Sequence, residues 1–183
     1  MTLKLALKLA PLLVAGIAVL HTGFGAGLAA DSGVGLTNVT GQGGDCTAPT
    51  RLAACAPLFD GTGVLFPGGP AVERSVTVTY HGGHASAFGL YLDQFTSREA
   101  RSQPGCTTAD PADKLDLAIT QDGRLLYQGT LSSFHREHGT APDALPLHGD
   151  SGRFTISVAM ERSADNSYMG CVSTTDLVWI ASQ

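Results

Sequence analysis

Basic residues are scarce in this sequence, which has 11 Lys plus Arg against 16 Asp plus Glu and a formal net charge of −5. Lys4 and Lys8 lie in an N-terminal segment that we predict is removed, which leaves Lys114 as the only other lysine. An acidic surface repels nucleic-acid phosphates and anionic lipids. We therefore expect no nucleic-acid partner.

The N-terminal apolar run, residues 9–20, is too short to cross a membrane. It follows the two lysines and precedes the small residues 23–30, which offer Ala29 or Ala30 to a signal peptidase. This order is typical of a secretory signal. We predict that residues 1–30 are a signal peptide, that the mature protein is secreted or held at the cell surface, and that no membrane span remains after cleavage.

Cysteine is used sparingly, at four positions that all follow the predicted signal peptide: Cys46, Cys55, Cys106 and Cys171. An even number of cysteines in an exported protein predicts two disulfides. Three pairings are possible, and we favour Cys46 with Cys55 and Cys106 with Cys171. The CxxC spacing of a structural zinc site is absent.

No stretch sustains the apolar period of a helix, whereas apolar and polar residues alternate with the period of a strand in several segments. An Asp122-Gly123 pair between two of them predicts a tight hairpin turn. We therefore predict an all-β fold, an antiparallel two-sheet β-sandwich of the jelly-roll or immunoglobulin-like kind. The predicted strands are 75–80, 88–93, 115–119, 125–131, 154–160 and 177–181.

The chain after the signal peptide divides into residues 31–61, a Gly- and Thr-rich arm with two cysteines, and residues 62–183, the β-sandwich domain. We expect the arm to contribute little to the core. Residues 34–40 carry a weak strand pattern that can add to a sheet edge. Pairing within its own chain gives a monomer, and pairing with a neighbour gives a polymer.

Two His-x-x-His pairs, His81 with His84 and His135 with His138, supply four imidazoles for a zinc or other divalent metal site. The His-Glu-x-x-His motif of zinc peptidases is absent, because Arg136 follows His135. Solvated loop histidines are the alternative interpretation. We predict no required cofactor and keep the metal-binding module or metallohydrolase as an alternative function.

The tetrapeptide from Gly149 to Gly152, Gly-Asp-Ser-Gly, matches the residues around the nucleophile of chymotrypsin-like proteases. The accompanying histidine motif is absent, because the nearest match ends in Cys55 without a histidine. Gly, Asp and Ser before a strand are ordinary turn residues. We therefore predict a turn here and no catalytic residue anywhere in the chain.

Two long loops, residues 94–113 and 132–151, are places where a small ligand or carbohydrate would bind, and a short helix can form in either. Aromatic rings for stacking on a sugar are few there, with Phe95 and Phe134 the only ones. A small-ligand or carbohydrate-binding module is therefore a further alternative.

Several different short motifs lie between about Pro67 and Gln183. They are Pro67-Gly68-Gly69, Leu126-Tyr127-Gln128-Gly129-Thr130-Leu131, Leu147 with Gly149 to Gly152 before Phe154-Thr155-Ile156, Asn166-Ser167-Tyr168-Met169-Gly170, and Val178-Trp179. In these the C-terminal two-thirds resembles the secreted camelysin/TasA-like family, whose signal peptides are handled by a dedicated signal peptidase, signal peptidase W. The resemblance implies a jelly-roll-like sandwich and an extracellular, mostly structural role such as that of biofilm-matrix fibres. Some relatives are described as metallopeptidases, but the resemblance transfers no catalytic residue.

Four residues of these motifs are predicted to maintain the fold. Tyr127 shares a face with Leu125, so we expect a buried ring whose hydroxyl reaches a partner. Asn166 and Gly170 bracket a loop that tolerates left-handed backbone, and Trp179 anchors the last strand. The expected function is that of a secreted or cell-surface structural or adhesive protein, such as an extracellular-matrix component, whose partners are further copies or surface and matrix proteins.

Overall fold

The computed structural model of the protein describes residues 24–30, 35–40, 46–48, 53–54, 58–59, 65–81, 87–99, 110–168 and 171–182. The strands are β1 Phe24–Ala30, β2 Gly35–Thr40, β3 Cys46–Ala48, β4 Ala53–Ala54, β5 Val72–His81, β6 Ala87–Glu99, β7 Leu115–Gln121, β8 Arg124–Thr130, β9 Leu145–Pro146, β10 Ser151–Met160 and β11 Cys171–Ser182. The α-helix is α1 Leu131–His138, and short 3₁₀ helices span Pro111–Lys114, Ala141–Asp143 and Asn166–Tyr168.

The strands form two sheets, one in the order β4-β1-β11-β6-β9 and one in the order β3-β2-β5-β10-β7-β8. Among the described strands every pairing is antiparallel except that of β1 with β11. All six strands predicted from the alternating pattern are present, so the mostly β prediction is confirmed. In the described part of the chain no helix is long and apolar enough to cross a membrane.

The core is a single cluster of apolar side chains from both sheets. Trp179 of β11 is fully buried, and its ring centroid lies 5.8 Å from that of Phe154 on β10 in the other sheet. Every second residue of β5, from Val76 to Tyr80, points into this cluster, while Thr77 and Thr79 face outward and are half-buried. The alternating pattern therefore places one face of each sheet in the core.

The β7–β8 hairpin turns at Asp122 and Gly123, whose φ angles of 51° and 82° suit a two-residue hairpin turn. The register slips where Thr120 pairs with Leu125, so a bulge separates Leu125 from Tyr127. Leu125 is 53% exposed, whereas Tyr127 packs against the core. The prediction that Leu125 and Tyr127 share a face is therefore wrong, because the bulge reverses the alternation between them.

The predicted arm is built into the sheets. β2 pairs with β5 of the same chain, from Gly35 opposite His81 to Thr40 opposite Val76. Leu58 and Phe59 are 4% and 2% exposed and belong to the core cluster. Leu58 and Phe59 are therefore core residues that lie within the predicted arm.

The two open sides of this two-layer arrangement are closed by different elements. On one side, which we call the helix flank, α1 contacts β6 of one sheet and β7 and β8 of the other. On the opposite side, which we call the N-terminal flank, β1 contacts β2 and β3, and β3 contacts β4. Each flank thus joins the edges of the two sheets.

Candidate functional site

The structure describes three of the four predicted histidines and places them in two elements, β5 and α1. His81 is exposed at the end of β5, and His135 and His138 lie in α1. His84 lies outside the described residues. Among the residues that the structure describes, no three His, Cys, Asp or Glu side chains are grouped to hold a metal ion. The metal site stays a prediction.

His135 packs against the neighbouring sheet. Its ring stacks on Phe95 of β6 with centroids 4.7 Å apart and an interplanar angle of 24°. Its Nδ1 atom is buried and has no hydrogen-bond partner. The contact between His135 and Phe95 therefore attaches α1 to the five-stranded sheet through ring packing.

His138 packs against two aromatic rings, those of Phe134 and Tyr127. Its ring centroid is 4.9 Å from that of Phe134 and 6.2 Å from that of Tyr127. Its Nδ1 donates to the Asp143 carbonyl at 2.7 Å, because a carbonyl oxygen only accepts. Both helix histidines thus contribute packing at the helix flank.

Tyr127 connects β8 to α1. Its ring meets Phe134 edge-on at 4.7 Å, and its hydroxyl donates to the Thr130 carbonyl at 3.1 Å. Burial raises the pKa of Tyr127, and the Glu137 carboxylate adds to the shift. The Thr130 hydroxyl accepts a hydrogen bond from the Ser133 N–H at 3.1 Å and so caps the start of α1. Thr130 is also the last residue of β8.

Within the Gly149–Gly152 segment, Gly149 and Asp150 form a bend, and Ser151 and Gly152 are the first two residues of β10. Gly149 has a φ of 67°, and the Asp150 carbonyl accepts from the Tyr80 N–H at 2.8 Å. The Ser151 and Thr79 hydroxyls lie 3.0 Å apart on the outer face of the six-stranded sheet. Ser151 therefore completes a cross-strand hydroxyl pair in the structure.

Gln121 is a buried polar residue that the sequence analysis missed. Its Nε2 donates to the His148 carbonyl at 2.5 Å, and its Oε1 accepts from the His148 N–H at 3.1 Å. A Cβ on Gly152 would lie 2.6 Å from Gln121 Nε2, so this position leaves no room for a side chain. Gln121 occupies an ordinary inward position of β7, so nothing in the sequence marks it.

A second missed group lies on the outer face of the five-stranded sheet, where Asp176 of β11 is opposite Asp93 of β6. Burial raises the pKa of Asp176, and the negative charge of Asp93 raises it further. The same two causes, burial and then Asp93, raise the pKa of Tyr91. Neither aspartate is marked in the sequence, because the pairing register that brings them together is a tertiary feature.

The remaining predicted residues fall partly outside the described part of the chain. Cys46 begins β3 and Cys171 begins β11, whereas Cys55 and Cys106 lie outside the described residues, as does Gly170. The structure does not describe the side chain of any of the four cysteines, so the two disulfides stay a prediction.

Asn166 begins the 3₁₀ helix between β10 and β11. Next to it the Asp165 carboxylate accepts from the N–H of Ser167 at 2.8 Å and from its hydroxyl at 2.5 Å. These bonds lower the pKa of Asp165. The hydrogen bonds between Asp165 and Ser167 therefore hold the loop at Asn166.

Trp179, predicted to anchor the last strand, is fully buried and its indole N–H has no partner.

The most distinctive feature of the fold is the position of β11 between β1 and β6. β1 runs parallel to β11, with Phe24 opposite Thr175 and Ala30 opposite Ala181. β11 therefore has a neighbour on one side that consists entirely of residues from the predicted signal peptide. We take this edge of β11 as the candidate interaction site.

No family model matches this chain, and no curated protein matches it.

Proposed function

We propose that the protein is an exported structural or adhesive protein of the cell surface or extracellular matrix. In this proposal the two sheets form a β-sandwich of the jelly-roll or immunoglobulin-like kind, and its partners are further copies of the chain or matrix proteins. The predicted signal peptide and the family resemblance supply the location, and the edge of β11 supplies the means of association.

The observation that carries the proposal is the pairing of β1 with β11. Removal of residues 1–30 takes away β1 and leaves the twelve residues of β11 paired only with β6. An unpaired strand edge presents a row of free N–H and C=O groups that can pair with another chain. The exported form would thus expose an edge for strand addition.

In the described part of the arm, β2 and β3 are not available to fill this edge, and β4 pairs with β1 over only two residues. β2 already pairs with β5 over its full length, and β3 pairs with β2. In this arrangement the strand that replaces β1 comes from another molecule. The most direct source is a second copy, because every exported copy carries the same open edge.

The test compares two chains that differ only in β1. Residues 31–183 lack the strand, and residues 24–183 keep it without the apolar run of the signal peptide. Light scattering over time and concentration should show residues 31–183 associating into dimers or larger particles and residues 24–183 remaining monomeric. Two stable monomers would contradict the proposal.

A third chain, residues 62–183, lacks the arm as well as β1 and separates the two contributions. If the β11 edge drives association, growth does not require residues 31–61, provided circular dichroism shows that this chain folds. Growth only when the arm is present would instead identify β2 as the exchanged strand. The mass of the exported protein gives the cleavage site independently.

A further inference from the structure

The segment at which the signal peptide is predicted to be cut also completes the five-stranded sheet. β1 pairs with β11 in an unbroken register from Phe24 to Ala30. The candidate cleavage residues Ala29 and Ala30 lie opposite Ile180 and Ala181. The scissile region is therefore part of a hydrogen-bonded ladder.

β1 is held from both sides. On one side β11 pairs with the whole length of β1, and on the other side β4 pairs with Gly27 and Leu28 of β1. A peptidase has to hold the chain around the cut in an extended form, and it does so through the same backbone N–H and C=O groups. In a paired strand those N–H and C=O groups already form hydrogen bonds with the neighbouring strand, so the peptidase cannot bind them.

We propose that pairing of β1 with β11 and cleavage after Ala29 or Ala30 exclude each other. Signal peptidase then processes only chains in which β1 is unpaired, and a chain that has completed the five-stranded sheet resists cutting. This inference rests on the proposed function, because it requires that residues 1–30 are a cleaved signal peptide. It adds a regulatory consequence: the fold itself selects between an uncut chain with a closed β11 edge and a cut chain with an open one.

The test uses the full chain, residues 1–183, purified in detergent and incubated with a purified signal peptidase. Intact mass follows the appearance of the cut chain. The folded protein should be cut at least about tenfold more slowly than the same chain unfolded in urea, because cutting has to wait for local opening of the strand. Equal rates for the folded and unfolded chains would overturn the proposal.

Two proline variants form a matched pair. Gly25→Pro places proline within β1, opposite Asp176 in the register, and Gly23→Pro places it just before the strand begins. The cleavage rate of each folded variant is divided by the cleavage rate of the same variant unfolded in urea. We expect Gly25→Pro to lose the protection and Gly23→Pro to keep it, with circular dichroism showing that both are folded. Retained protection in a folded Gly25→Pro variant would overturn the proposal.

The outcomes separate this inference from the proposed function. If the unfolded full chain is not cut, the signal peptide is wrong, and export and the inference both fall. If the unfolded and folded chains are cut equally, only the mutual exclusion falls. The light-scattering comparison begins with residues 31–183 and involves no peptidase, so its result is independent.

Discussion

The two flanks of the protein close the same kind of gap by different means. The helix flank is closed by side chains: Phe134 of α1 is fully buried against Tyr127, and His135 stacks on Phe95. On the N-terminal flank, β1 and β4 extend the five-stranded sheet, β2 and β3 extend the six-stranded sheet, and these two strand pairs contact each other. The helix flank belongs to every form of the chain, whereas the N-terminal flank depends on residues that we predict are removed.

The largest effect should come from the anchor of the helix flank. Phe134→Ala removes a fully buried ring, and we expect a loss of about 3–5 kcal/mol in the free energy of unfolding, measured by urea denaturation. The matched control is Leu125→Ala, since Leu125 is 53% exposed, and its loss should stay below about 0.5 kcal/mol. Similar losses for the two variants would show that α1 does not hold this flank.

Phe59→Ala tests the N-terminal flank, because Phe59 follows the end of β4 by five residues in the chain. Phe59 is 2% exposed, and the Arg74 guanidinium lies 5.9 Å from its ring centroid. We expect a loss of about 3 kcal/mol in the chain of residues 24–183, and a smaller loss in residues 31–183, where β1 is absent. Equal losses in the two chains would show that this flank stays closed without β1, and the contrast between the flanks would disappear.

A smaller effect is expected at the start of α1. Thr130→Ala removes the hydroxyl that accepts from the Ser133 N–H and should cost about 1 kcal/mol in unfolding free energy. Thr130→Ser keeps a hydroxyl at the same position and should restore most of that stability. If both variants unfold at the wild-type denaturant concentration, the cap does not stabilise the helix flank.

The smallest effect concerns Asp176, which lies on β11 opposite Gly25 of β1. Burial raises its pKa, so the folded protein binds this proton more tightly than the unfolded chain does. Stability should therefore fall as pH rises from the ordinary aspartate value, about 3.9, through the raised folded pKa. Asp176→Asn removes this penalty and should stabilise the protein near neutral pH but not below the ordinary aspartate pKa.

Thermal unfolding across this pH range checks the Asp176 prediction. Asp116→Asn is the control, because Asp116 is an exposed residue on the outer face of β7. A gain of equal size at every pH would show that the effect does not come from the titration of Asp176.

The parts of the fold that could be predicted are those in which local pattern and tertiary structure agree. The alternation around Val76 and Phe154 predicts strands because each has one buried face, and Asp122-Gly123 predicts its own turn. Leu58 and Phe59 were missed because an isolated apolar pair has no period. Their burial depends on sheets formed by residues far along the chain.

The helix and the site were harder to predict for related reasons. α1 buries only Leu131 and Phe134, which is too short an apolar pattern to reveal a helix. The spacing of His135 and His138 is compatible both with metal binding and with packing, and the choice depends on where Phe95 and Tyr127 lie in space. The opposition of Asp93 to Asp176 likewise requires the register.

The position of β11 also governs how the chain acquires its fold. β11 follows all the other described strands in the sequence, yet it lies between β1 and β6 in its sheet. During synthesis or export the five-stranded sheet cannot assemble until residues 171–182 have emerged, whereas β5, β7, β8 and β10 of the other sheet emerge earlier. Pairing between such distant segments slows folding. A chain that ends before Cys171 should keep the elements of one sheet and leave its apolar face uncovered, which makes early termination a route to aggregation.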